Sequence, residues 1–192
     1  MQNSDAKDFF SQIWRPAVPV LSITGAGGTK WKRNMADPAD PRVGPWLQAT
    51  FEVLDQAMWR RKADYLYFVV SCADEKLRYV GKSKKQVSER WRMSPALCAT
   101  TGVELAGKQL FHSQCMKPMQ AEFALRPNAT FEVRTLGASE LRLMVTAAGL
   151  LGFDTYASDS DFIEALEKWF CRSRTPDFAT WNQAGTGRRS RG

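Results

Sequence analysis

The stretch Asp64–Met93, DYLYFVVSCADEKLRYVGKSKKQVSERWRM, gathers side chains suited to phosphate chemistry. Two phenols, Tyr67 and Tyr79, stand near an ammonium, Lys82, and a guanidinium, Arg90. A guanidinium presents a planar, permanently charged fork that matches phosphate oxygens.

The local pattern places these groups. Tyr65–Ser71 is aromatic and β-branched, as a strand requires, Cys72–Lys76 is a polar break, and Leu77–Gly81 is a second strand. A hairpin with Ser71 opposite Leu77 sets Tyr79 against Val69 and makes Tyr67 and Tyr79 diagonal neighbours, about 7–8 Å apart on one face. Gly81 leaves room for a ligand backbone to approach. Ser83 and Gln86 form a capping box that starts a helix, with Val87 and Trp91 as its buried stripe and Arg90 beside it. Two phenols, Lys82 and Arg90 then line one surface.

These residues resemble the GIY-YIG nuclease superfamily. The second motif reads Tyr79-Val80-Gly81, followed by Lys82-Ser83-Lys84 and Arg90-Trp91, and the first reads Tyr65-Leu66-Tyr67, with tyrosine where the family has glycine. The family also places a metal-binding Glu on a later helix and often an Asn near the end. In its restriction-type members that Glu is followed by two apolar residues, a Pro and then Trp-Asn. Glu167 fits, with Phe170-Cys171, Pro176 and Trp181-Asn182 after it, and Glu164 is the second choice. The match covers roughly residues 64–93 and 159–188.

The resemblance implies a divalent-metal-dependent DNA endonuclease like the stand-alone type II restriction enzymes. Mg2+ or Mn2+ would sit on Glu167. Tyr67 would take the proton from the attacking water, Tyr79 would orient water or phosphate, Arg90 and Lys82 would neutralise charge, and Asn182 would hydrogen-bond near the site. Its partner would be double-stranded DNA. The alternatives are a GIY-YIG-fold nucleic-acid-binding protein without activity and, last, a nucleotide-handling enzyme using Gly25–Lys30.

Composition agrees with a polyanionic partner. The 192 residues are 44% hydrophobic with a net charge of +7 and a pI near 9.4, which favours nucleic acid or an acidic surface. Cys72, Cys98, Cys115 and Cys171 show no CxxC pair and, with the single His112, no compact zinc site, so reduced, packed thiols are expected. MQNSDAKDFF lacks a basic segment followed by an apolar run, and Leu143–Phe153 is too short to cross a bilayer. A cytoplasmic protein with no membrane partner is expected; monomer and homo-oligomer both stay open.

The remaining chain must carry the site. Residues 1–63 read as an N-terminal extension and 64–192 as the nuclease domain, with an insertion at 94–127 and a basic tail. Val18–Ile23 reads as a strand leading into a glycine-rich loop, Thr24–Lys30, whose Thr29-Lys30-Trp31 breaks the phosphate-loop spacing. Leu47, Phe51, Leu54 and Met58 form a helical stripe over Trp46–Arg61, which packs on the sheet. Its Trp59-Arg60-Arg61 end suits phosphate, and also suits a helix C-terminus. The insertion holds one short helix and His112, given at most a supporting role. Thr130–Leu136 is a third strand, Ser139 caps a helix Glu140–Leu151, and Asp159-Ser160-Asp161 opens the last helix, whose inward side is Phe162, Ile163, Leu166, Trp169 and Phe170. DNA backbone contacts are expected from Lys84, Lys85, Arg92, Lys30, Lys32, Arg188 and Arg189. The expected architecture is α/β of the α+β type, a small, mostly antiparallel three-stranded sheet flanked by helices.

Overall fold

In the computed structural model the described residues are 9, 12–29, 46–91, 97–98, 115–153, 155–172 and 178–182. Six runs pair into one sheet: β1 (Val18–Thr29), β2 (Trp46–Val53), β3 (Tyr65–Ser71), β4 (Lys76–Ser83), β5 (Leu97–Cys98) and β6 (Phe131–Gly137). Their order is β4-β3-β6-β1-β2-β5, and every pairing is antiparallel. The helices are α1 (Gln56–Arg60), α2 (Val87–Trp91), α3 (Met116–Leu125), α4 (Ala138–Ala147) and α5 (Asp159–Arg172).

The class is α+β, with a sheet of six strands where three were expected. The three expected strands are adjacent at one end of it, as β4, β3 and β6. The rest are β1, whose first half was expected as a strand, β2, and β5 within the expected insertion, and two segments differ from expectation. The glycine stretch Gly25–Gly28 continues β1 rather than forming a loop, because β2 pairs along it across two register shifts. No phosphate-cradling loop exists there. Residues 46–61 are not one helix: Trp46–Val53 is β2, and only Gln56–Arg60 is helical, capped by Asp55, whose side chain accepts from Met58 N at 2.9 Å. Phe51 and Leu54 of the supposed buried stripe are exposed. Their spacing satisfies a helical period, but the hydrogen bonds of β1 decide the conformation.

Two cores lie on opposite faces of the sheet. Leu66, Phe68, Val70 and Val80 pack with α4 and α5 on one face. Tyr65, Tyr67, Val69 and Tyr79 pack with Val87 and Trp91 of α2 and with Met119 and Phe123 of α3 on the other. β3 is buried along its whole length, as a strand covered on both faces must be.

Three smaller expectations also change. Ser71 pairs with Lys76 and not Leu77, because a bulge between Val69 and Val70 leaves Arg78 as the extra residue; Val69 still faces Tyr79. Ser83 belongs to β4, and its hydroxyl accepts from Lys85 N, while the Gln86 carbonyl accepts from Glu89 N and Arg90 N to start α2. Helix α4 starts two residues early, at Ala138, with no side-chain cap from Ser139, and ends at Ala147. The last helix begins as expected at Asp159, capped by Ser158, whose hydroxyl accepts from Asp161 N.

Cys72, Cys115 and Cys171 form no disulfide, and Cys72 is exposed at the hairpin turn rather than packed. Lys30, Lys32, Arg92, His112, Arg188 and Arg189 lie outside the described residues. Among the described residues no helix is long and apolar enough to cross a membrane.

Candidate active site

Strand alternation puts Tyr65 and Tyr67 of β3 on the same face as Tyr79 and Gly81 of β4, with Tyr67 directly opposite Gly81. The Tyr67 and Tyr79 rings lie 6.0 Å apart. A Cβ on Gly81 would stand 2.3 Å from both Cζ and Oη of Tyr67. The space above Gly81 is therefore filled by Tyr67 itself and is not open to a ligand, which corrects the expectation. Gly81→Ala must push a fully buried ring out of place. We expect it to destabilise the protein by about 1–3 kcal/mol, as overpacking does. Denaturant unfolding within about 0.5 kcal/mol of wild type, the usual range of a neutral surface change, would show that the ring has room to move.

Helix α2 presents Val87 and Trp91, four apart, to this face. Trp91 meets the Tyr67 ring edge-on at 5.5 Å. Arg90, next to it, turns back over the ring with its guanidinium carbon 5.3 Å from the centroid, and Nη2 donates to Tyr67 Oη at 2.8 Å. A cation donating to the phenol oxygen stabilises negative charge there. At Tyr79 the Arg90 charge is outweighed: burial first, then Tyr67, pushes its pKa far up, so it stays a neutral phenol. Burial does the same to Tyr65.

The carboxylates arrive from α5, which packs against β4. Glu164 and Glu167 lie one turn apart on its side toward Lys82. Lys82 alternates with Gly81, so its side chain does not share the tyrosine face, contrary to expectation. It reaches α5 instead, with Nζ donating to Glu164 Oε2 at 2.5 Å and lying 3.7 Å from Glu167 Oε2. Lys168 holds the other Glu164 oxygen at 2.8 Å. Hydrogen bonds from Lys168 and Lys82 bring the Glu164 carboxyl down to about 2.

Glu167 differs. Burial pushes its pKa up, opposed by the Lys82 charge and by a hydrogen bond from the Lys82 backbone; the charges of Arg90 and Glu164 also reach it. Its own charge in turn reaches Tyr79. The two groups thus meet around the edge of β4, with Arg90 and the tyrosines on one side and Lys82 and the glutamates on the other. Glu164 is already matched by two lysines, whereas Glu167 is the desolvated acid coupled to Arg90 and Tyr79. Among the described residues no cluster of three or more His, Cys, Asp or Glu side chains is placed to hold a metal.

The Glu164 ion pair is half exposed, and such pairs contribute about 0.2–1 kcal/mol. Its folded-state pKa lies below the ordinary 4.5, so the contribution exists above pH 4.5 and fades as pH falls toward 2. Glu164→Gln should therefore lower the unfolding midpoint slightly at pH 6 and not at all near pH 2. A deficit that grows on acidification would contradict this.

Asn182 is committed to β4. It is buried, its Oδ1 accepts from Val80 N at 2.8 Å and its Nδ2 donates to Val80 O at 2.8 Å. Ala179 N to Leu77 O and Trp181 N to Arg78 O extend this pairing along β4. Residues 179–182 thus close an edge that would otherwise be open. Lys84 and Lys85 are exposed just before α2. Thr135, across from Tyr67 on β6, was overlooked; it is buried and its hydroxyl has no hydrogen-bond partner. The only advance sign of it is the alternation of TFEVRTL.

Compared with protein-family models, curated proteins and solved structures, the chain matches none. The site geometry has to carry the functional reading.

Proposed function

We propose that this protein is a divalent-metal-dependent DNA endonuclease of GIY-YIG type, resembling the stand-alone restriction enzymes. The observation that carries the reading is the meeting, at one end of β4, of a Tyr67–Arg90 pair and a half-buried carboxylate, Glu167, from three separate elements. Glu167 also accepts from the Lys82 backbone at the sheet edge, and its raised pKa is of the kind that gathers at working sites.

Glu167 fits magnesium, or manganese in its place, because such ions accept one or two protein carboxylates and fill their other positions with water and phosphate oxygen. When bound, the ion would lower the pKa of a coordinated water and neutralise phosphate charge. The chain's own residues do the rest. Arg90 carries five N–H donors in a planar fork, a shape that suits a phosphate. Tyr67 is fully buried beneath it, so the site must open for water to reach Tyr67 Oη; with its own proton already lost to solvent, the phenolate held by the Arg90 N–H takes the proton of the attacking water. Tyr79, held neutral, donates to water or phosphate. Lys82 fixes Glu164 and supplies positive charge beside Glu167.

Incubation of the purified protein with supercoiled plasmid and mixed duplex substrates, with Mg2+ or Mn2+, should produce nicked and linear DNA. Intact DNA under all of these conditions, alongside salt-sensitive binding, would replace the nuclease by a binding protein on the same fold.

A further inference from the structure

Among the described residues six cations besides Lys82 are matched by acids. Arg61, Arg78, Arg126, Arg134, Arg142 and Lys168 each pair with a carboxylate. Four exposed cations near the candidate site are not: Arg60 and Lys62 at the C-terminal end of α1, and Lys84 and Lys85 just before α2 have no ion pair among the described residues.

These pairs are distant in sequence but close in the fold, because α1 and α2 pack against each other. Between them lies a small pocket of about 10 Å3, with Met58, Arg61 and Ala63 from the α1 side, Val87 from α2, and Tyr65 and Thr135 from the sheet. One turn along α2 from Val87 is Arg90. Asp64 and Glu89 are the acids in the same segments, and Glu140 is taken up by Arg61, so the region stays positive. A single cation at a helix C-terminus answers to the helix dipole. That does not account for Lys62 beyond the helix or for two lysines ahead of the next one.

We propose that Arg60 and Lys62, with Lys84 and Lys85, form a phosphate-binding track that carries the backbone of double-stranded DNA across the pocket mouth to Arg90. The proposal rests on the nuclease reading and names the surface that holds the substrate on either side of the cut. Phosphates are bound by charge alone, so the track adds affinity for any sequence and leaves base recognition to other parts of the chain.

The test is the salt dependence of duplex binding, measured by fluorescence anisotropy without divalent ions. Wild type is compared with Arg60→Ala/Lys62→Ala, with Lys84→Ala/Lys85→Ala, and with Lys76→Ala/Arg126→Ala. The last pair removes the same charge at the opposite end of the sheet, where Ser71 meets Lys76 and Phe131. Each phosphate contact contributes about 0.9 to the slope of log K against log salt, so each track pair should flatten it by about 1.8. The control pair should leave it unchanged, and Arg60→Lys/Lys62→Arg, which keeps both charges, should restore it. Equal flattening by all three alanine pairs, or none by the track pairs in a protein that still cuts DNA, overturns the track and spares the nuclease reading. A wild-type protein that neither binds nor cuts overturns both.

Discussion

Glu167→Gln is expected to reduce DNA cleavage about a thousandfold or more while leaving the fold at least as stable as wild type. A metal ion contributes several kcal/mol to phosphoryl chemistry, and each 1.36 kcal/mol is a factor of ten. Gln keeps the size of the side chain and an oxygen for the Lys82 backbone, and it removes the charge a cation needs. The stability prediction has the opposite sign because burial raises the Glu167 pKa, so its ionised form is disfavoured in the folded state. That cost is absent below the ordinary glutamate value of 4.5, grows as pH rises from there to the raised folded value, and is fully present above it. At pH 7 the variant should therefore melt at or above the wild-type temperature, and below pH 4 the advantage should vanish. Cleavage within tenfold of wild type would remove Glu167 from the mechanism. A large drop in melting temperature would mean that the carboxylate is a structural partner instead.

Asn182→Ala is expected to cost about 2–4 kcal/mol. It removes two buried hydrogen bonds and strands the Val80 N–H and C=O, each worth about 1–3 kcal/mol when left unpaired. Activity per folded molecule should stay close to wild type, because Asn182 is occupied with β4 and not with the site. Urea unfolding and cleavage, measured together at low temperature, separate the two effects. A stable variant that has lost activity would return Asn182 to catalysis, the role the family resemblance assigns to it.

The strands and the phenols were legible because alternation is local. Tyr65–Ser71, Leu77–Gly81 and Thr130–Leu136 each match a strand of the structure within two residues, and a period of two puts Tyr67 and Tyr79 on one face whatever packs above them. The apolar side of α5 was legible for the same reason. Residues 46–61 were not, since apolar spacings of four, three and four satisfy a helix while the partner that makes Trp46–Val53 a strand lies in β1. Gly81 was read as space for a ligand when the neighbouring ring fills it.

The residues of this chain set by themselves which groups are available: two phenols, a guanidinium, an ammonium and two acids one helical turn apart. Only the folded chain decided their partners, giving Lys82 and Lys168 to Glu164, desolvating Glu167 and spending Asn182 on Val80. The physical reason is that periodicity is carried by neighbours along the chain. Desolvation and hydrogen-bond competition depend on what the rest of the chain brings within a few ångströms.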